Sequence, residues 1–226
     1  MARRDDVGVI FDLDGVLVDS EELYYRSYSE VLARYGVSVT AETYSRIWIQ
    51  GGKGPEWAVR EFGLPMTPEE LRLAKQPIYV KLLETELRPI AGARECVRRL
   101  AAAFPVVLAT NSYAENVEQA MRVLGPDVRA CFRDLVTKER FSRPKPAPDA
   151  FVAGAAALGL APGRCVVIED AEKGLVASRA AGTRCIVVPC ALTRGGDFAA
   201  ADRVLASLDD VTAEVVGGVA DAPLRR

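Results

Sequence analysis

Four short apolar runs, VGVIF (residues 7–11), PVVLAT (105–110), RCVVIED (164–170) and RCIVVP (184–189), restrict what this chain can fold into more than any other feature. They are apolar enough to be buried strands, and a weaker run, RDLVTKE (133–139), lies between the second and the third. Helical patterns separate them: Val117, Met121 and Leu124 at i, i+4 and i+7, then Ala150 to Leu158, then Ala171 to Ala181 ended by Gly182. Strands alternating with helices predict an α/β fold, a doubly wound parallel sheet of Rossmann-like form with helices on both faces.

One segment breaks the alternation. Leu23, Tyr24, Tyr28, Val31, Leu32 and Tyr35 make an apolar helical stripe, Thr40 has the chemistry of a second N-cap, and Thr67-Pro68-Glu69-Glu70 combines an N-cap, a first-turn proline and a capping-box glutamate. Asp19-Ser20 with Glu22 has capping-box spacing at the start of this stretch. These are helices without strands. The expected organisation is a core of residues 1–17 and 89–226 with a helical cap domain, 18–88, inserted after the first strand.

Composition excludes several classes of function. The chain has 226 residues, half of them hydrophobic, enough for one large domain carrying an insertion. A net charge of −2 gives no general attraction to nucleic acid or an anionic membrane, so any phosphate-binding capacity must be local. No stretch reaches transmembrane length and the first apolar run is too brief for a signal-peptide core, so a cytoplasmic protein is expected. The five cysteines are scattered without a CxxC pair, as suits reduced core thiols. Histidine is absent, which removes Ser-His-Asp triads, Cys-His pairs and histidine-ligated zinc. No cysteine has an arginine six positions on, so a thiolate-and-arginine phosphatase loop is missing too. Carboxylates, lysines and hydroxyls must carry the chemistry.

Those groups collect at strand ends. The first strand runs into Asp12-Leu13-Asp14, and side chains at i and i+2 of extended chain share a face. Two adjacent carboxylates repel, and a hard cation such as Mg2+ with oxygen ligands relieves that repulsion. Thr110-Asn111-Ser112 follows the second run, Lys145 sits among prolines in SRPKPAPD, and Glu169-Asp170 ends CVVI. Open parallel sheets place their sites beyond the carboxyl ends of the strands. A phosphoryl group matches this set, because its transfer depends mainly on positioning and charge neutralisation.

DLDGVLVDS (12–20), ATNS (109–112), SRPKPAPD (142–149) and IEDAEKG (168–174) together resemble, in order and over nearly the whole chain, the haloacid dehalogenase superfamily. The resemblance is to the phosphatase and β-phosphoglucomutase-like branch, with a helical cap after the first strand. It implies that Asp12 attacks phosphorus and that Asp14 serves as acid and then base. It further implies that Thr110 and the Asn111 amide hold phosphoryl oxygens and that Lys145 neutralises charge. Mg2+ is implied at Asp12, the Asp14 backbone carbonyl, Asp170 and Glu169, the last directly or through water. Family dehalogenases lack the second aspartate, so Asp14 favours phosphate esters.

The expected activity is Mg2+-dependent hydrolysis of a small phosphorylated metabolite, a sugar phosphate or phosphoglycolate-like compound, by a monomer or weak homodimer. A sugar phosphomutase is the alternative, although Tyr24 stands about where such mutases carry a cap histidine. A phosphorelay receiver module is disfavoured by the inserted helices. Gln50-Gly51-Gly52-Lys53-Gly54 lacks the spacing of a nucleotide-binding loop, but Lys53 is a candidate for substrate selection. Trp48, Trp57 and the tyrosine stripe read as cap core.

Overall fold

The computed structural model describes residues 4–223. Its centre is a six-stranded, wholly parallel sheet in the order β3-β2-β1-β4-β5-β6. The strands are β1 (Gly8–Phe11), β2 (Val106–Ala109), β3 (Phe132–Val136), β4 (Cys165–Glu169), β5 (Arg184–Val187) and β6 (Arg203–Val204). β1 is flanked by β2, with Val9 opposite Val106, and by β4, with Val9 opposite Val166. Five strands coincide with the apolar runs. The two-residue β6 is exposed at the sheet edge, so it leaves no apolar run to read.

Helices cover both faces, as the buried strands require. Val9 and Phe11 point to one face and join residues of α5 (Ala93–Ala103), α6 (Ala114–Leu124) and α10 (Ala213–Asp221) in one apolar cluster. Ile10 points to the other and packs with Phe151, Ala155 and Leu158 of α8 (Asp149–Leu158) and Leu175 and Ala177 of α9 (Glu172–Ala181). The period-two alternation of the strand thus decides which core each residue enters. The short α7 (Pro126–Cys131) leads into β3.

Between β1 and α5 the chain forms helices only: α1 (Ser20–Ala33), α2 (Ala41–Tyr44), a π-helical turn (Ser45–Gln50), α3 (Gly54–Glu61) and α4 (Pro68–Glu86). They share a separate apolar cluster around Tyr28, Val31, Leu32, Tyr44, Trp48 and Leu71. α4 starts where the sequence predicts, with both hydrogen bonds of the Thr67/Glu70 capping box formed. α1 does not start as its sequence suggests. Asp19 makes no side-chain cap, and the Ser20 hydroxyl instead donates to Asp14 Oδ1 at 2.5 Å. A capping side chain at a helix N-terminus would accept from a backbone N–H, whereas the Ser20 hydroxyl donates to a charged carboxylate, the stronger kind of hydrogen bond, so tertiary context overrides the local capping signal.

From β1 the chain winds through β2 to β3 on one side, then returns to place β4, β5 and β6 on the other. The winding reverses between β1 and β4. The carboxyl ends of those two strands therefore border the crevice where open α/β sheets bind ligands.

Candidate active site

Asp12 continues the ladder past β1, its amide donating to Ile168 O at 3.0 Å. The chain then turns back at Gly15, whose φ of +78° a side chain would strain. A Cβ there would also lie 2.2 Å from Asp170 Oδ2, so the glycine lets the β1 and β4 ends approach. At Gly174 a Cβ would lie well inside contact distance of the Glu169 carboxylate. Both glycines make room for buried acids.

The two aspartates face the same cavity but have different neighbours. Asp12, Glu169 and Asp170 each offer a carboxylate oxygen within 4.8 Å of the others. Lys145 Nζ lies 2.7 Å from Asp12 Oδ1 and 3.6 Å from Glu169 Oε2. Asp14 is held by hydroxyls instead: Ser20 at its Oδ1, and Ser112 (2.6 Å) and Thr110 (3.3 Å) at its Oδ2. The i, i+2 spacing brings Asp12 and Asp14 to one cavity, and the turn at Gly15 separates their carboxylates into two functions.

Electrostatics follow from this crowding. Burial, reinforced by Asp12, pushes the Asp170 carboxyl up to about 8 and Glu169 well above the carboxylate range. Burial alone would lower Lys145, but Asp12 and Glu169 outweigh it and hold the ammonium above the usual lysine value. Both Glu169 oxygens and Asp170 Oδ2 are buried without a hydrogen-bond partner. Three clustered carboxylates with unsatisfied hard oxygens fit a divalent cation of the Mg2+ kind. The Asp14 carboxylate is outside that cluster, which leaves its backbone carbonyl as the ligand implied by the resemblance.

Asn111 has a role that sequence reading did not assign. Its Oδ1 accepts from the Lys145 backbone N–H at 3.0 Å and so ties the β3–α8 loop to the end of β2. The Ser112 amide donates to Thr110 Oγ1 at 3.0 Å and closes the turn. Lys53 is exposed and does not line the cavity, although Gly52 and Gly54 on either side of it do. The cap lysine that does line it is Lys75, on the buried α4 stripe Leu71, Lys75, Tyr79, Leu83. A lysine at i+4 within an apolar stripe was a readable signal. Tyr24, Tyr28 and Trp48 are both cap core and cavity wall, because one side of that cluster faces the site, and Trp57 packs against the same cluster; Tyr35 is exposed and belongs to neither.

The cavity measures about 580 Å³ and lies between the strand ends and the inserted helices. All five cysteines are free thiols. No helix among the described residues is long and apolar enough to cross a membrane.

The chain is also similar to known proteins. The profile of haloacid dehalogenase-like hydrolases matches residues 8–182. Hexitol phosphatase B of Escherichia coli is 32% identical over 217 residues, 93% of this chain and 96% of the relative. The bifunctional riboflavin kinase/FMN phosphatase of Arabidopsis thaliana is 30% identical over 92% of this chain, which spans about half (55%) of that longer relative. The crystal structure of CbbY from Rhodobacter sphaeroides in complex with phosphate superposes with a TM-score of 0.72 at 30% identity, covering 89% of this chain and 94% of that one. The chain belongs to the haloacid dehalogenase-like hydrolase family, in its phosphatase branch.

Proposed function

We propose that this protein is a phosphoric monoester hydrolase that releases phosphate from a small phosphorylated metabolite, with Mg2+ as cofactor and an aspartyl phosphate as intermediate. The observation that carries the reading is the division of labour at the strand ends: Asp12 against Lys145 beside Glu169 and Asp170, and Asp14 apart among hydroxyls. The names of the phosphatase relatives support a sugar or sugar-alcohol phosphate as substrate.

In the first step an Asp12 oxygen attacks phosphorus and the ester oxygen departs with a proton from Asp14. In the second, Asp14 takes a proton from water, the water oxygen attacks the same phosphorus, and the Asp12 carboxylate is released with inorganic phosphate. Lys145 offsets the charge of Asp12 and of the phosphoryl oxygens. Thr110 and the turn amides after β2 provide further donors to those oxygens. Asp12, Glu169 and Asp170, with the Asp14 backbone carbonyl, would hold Mg2+, which would supply charge neutralisation at the phosphoryl group. Water is the acceptor in this scheme, consistent with Tyr24 standing in place of a mutase cap histidine.

The test is phosphate release over a panel of phosphorylated sugars, sugar alcohols and hydroxy acids, with Mg2+ present or chelated. Undiminished activity under strong chelation would remove the metal from the scheme. Efficient isomerisation of hexose 1-phosphates with little free phosphate would replace hydrolase by mutase.

A further inference from the structure

Four basic side chains line the cavity: Arg72, Lys75, Lys145 and Lys173. Three of them have acidic neighbours. Lys145 pairs with Asp12, Arg72 pairs with Glu56 and lies 3.5 Å from Glu69, and Lys173 Nζ lies 3.9 Å from Glu21 Oε1. Lys75 differs. It is only 4% exposed, and its ammonium makes no ion pair or hydrogen bond among the described residues. Its neighbours are rings: Nζ lies 3.8 Å from the centroid of Tyr24, 4.4 Å from Tyr79 and 5.7 Å from Tyr28.

An ammonium withdrawn from water needs compensation, and aromatic faces supply part of it while leaving the N–H donors without acceptors. Burial pulls Lys75 down to about 8, opposed by Glu21, so it still carries its charge at neutral pH. The catalytic end already has its cations. The cap wall therefore presents, in the same enclosure as Asp12, an ammonium that Glu21 influences without pairing to it.

We infer that the cavity is built for a phosphomonoester whose other end carries a second anionic oxygen group, a carboxylate or a second phosphate, and that Lys75 binds that group and sets this preference. The inference rests on the phosphatase reading only in placing the scissile phosphate at Asp12. Lys75 is the specificity-determining residue here, and it takes no part in the bond-breaking steps.

The experiment compares matched esters differing in the far group: 3-phosphoglycerate with glycerol 3-phosphate for a carboxylate, and fructose 1,6-bisphosphate with fructose 1-phosphate for a phosphate. The wild-type protein is expected to favour one or both anionic members in kcat/KM. In Lys75→Met that preference should fall roughly ten- to hundredfold, through KM more than kcat, the range expected for losing one charge-assisted hydrogen bond. Lys75→Arg should retain most of it. The pair that responds identifies the anionic group.

Equal or better turnover of both neutral members by the wild-type protein would overturn the inference while leaving the phosphatase reading intact. So would an unchanged preference in a Lys75→Met protein that melts as a folded domain. If no ester is hydrolysed, the phosphatase reading fails separately. Tryptophan-fluorescence titration with the same four compounds then decides the inference, which falls if Lys75→Met binds anionic and neutral members in the wild-type ratio.

Discussion

The Lys145 ammonium and the Asp12 carboxylate meet at 2.7 Å with almost no solvent contact, and Lys145 is also the cation nearest the buried Glu169. Its replacement leaves several carboxylates without their neutralising charge. Breaking a buried pair from one side costs about 3–5 kcal/mol, so Lys145→Met should be destabilised by that order in chelator and partly recovered by Mg2+. Phosphate release should fall at least about 10²-fold, in line with losing a transition-state charge partner. Urea melts with and without Mg2+, alongside initial rates, measure both. A variant of wild-type stability in chelator would show that the pair contributes nothing to the fold.

Asp14 is positioned from two sides, by Ser112 after β2 and by Ser20, the first residue of the inserted helices. Asp14→Asn removes the acid–base function and should lower kcat by about 10²- to 10⁴-fold. Ser20→Ala keeps the aspartate but loses one short charge-assisted hydrogen bond, an effect of about tenfold. The two should not add, because both act through one carboxylate. A full further tenfold loss from Ser20→Ala in an Asp14→Asn background would assign Ser20 a separate role.

Metal and protons compete for the same buried acids. Asp170 is pushed up to about 8 and Glu169 is raised, in each case mainly by burial and then by Asp12. A carboxyl whose folded-state pKa is raised holds a proton that the unfolded chain has already released. The metal-free fold therefore loses stability as pH rises from about 4 to about 8. The increment in Tm given by saturating Mg2+ should accordingly be small at pH 5 and larger at pH 8. Equal increments at both pH values would mean that these carboxylates do not exchange protons for the ion.

Much of this arrangement was legible because it depends on chain-local regularities. Buried parallel strands are continuous apolar runs, so five of six strands could be read, and acids at the ends of both β1 and β4 point together to a site, although a single acid after a strand is often only a helix cap. Asp12, Asp14, Thr110, Asn111, Lys145, Glu169 and Asp170 do gather at one crevice. What could not be read depends on contacts distant in sequence. Asp19-Ser20 has the local spacing of a helix start, whereas the partner of Ser20 depends on how the first turn folds back. Lys53 stands in a glycine-rich loop that points to the site, yet Gly52 and Gly54 line the cavity and the exposed lysine does not. Lys75 is the exception: its place in the i+4 apolar stripe of α4 is visible in the sequence, although only the packing of α4 against α1 encloses it.

The inserted helices are also held from the opposite side, by the loop that follows β5. Leu192 from that loop packs against the cap cluster of Tyr44, Trp48 and Ile49, and its carbonyl accepts from Ser45 Oγ at 2.5 Å at the start of the π-helical turn. The contact joins core and cap without touching the acids. Leu192→Asp places a charge against that apolar cluster, where an unpaired carboxylate is poorly tolerated. It should loosen the cap over the cavity and raise KM several-fold, whereas the strand-end chemistry and kcat change little. Limited trypsin digestion should cut faster at Lys53, which is exposed on the short segment between the π-helical turn and α3. Ser45→Ala should act in the same direction more weakly, since it removes one hydrogen bond of about 1 kcal/mol and introduces no charge. Identical digestion rates and KM values in wild-type and Leu192→Asp protein would remove this loop as a fastening for the cap.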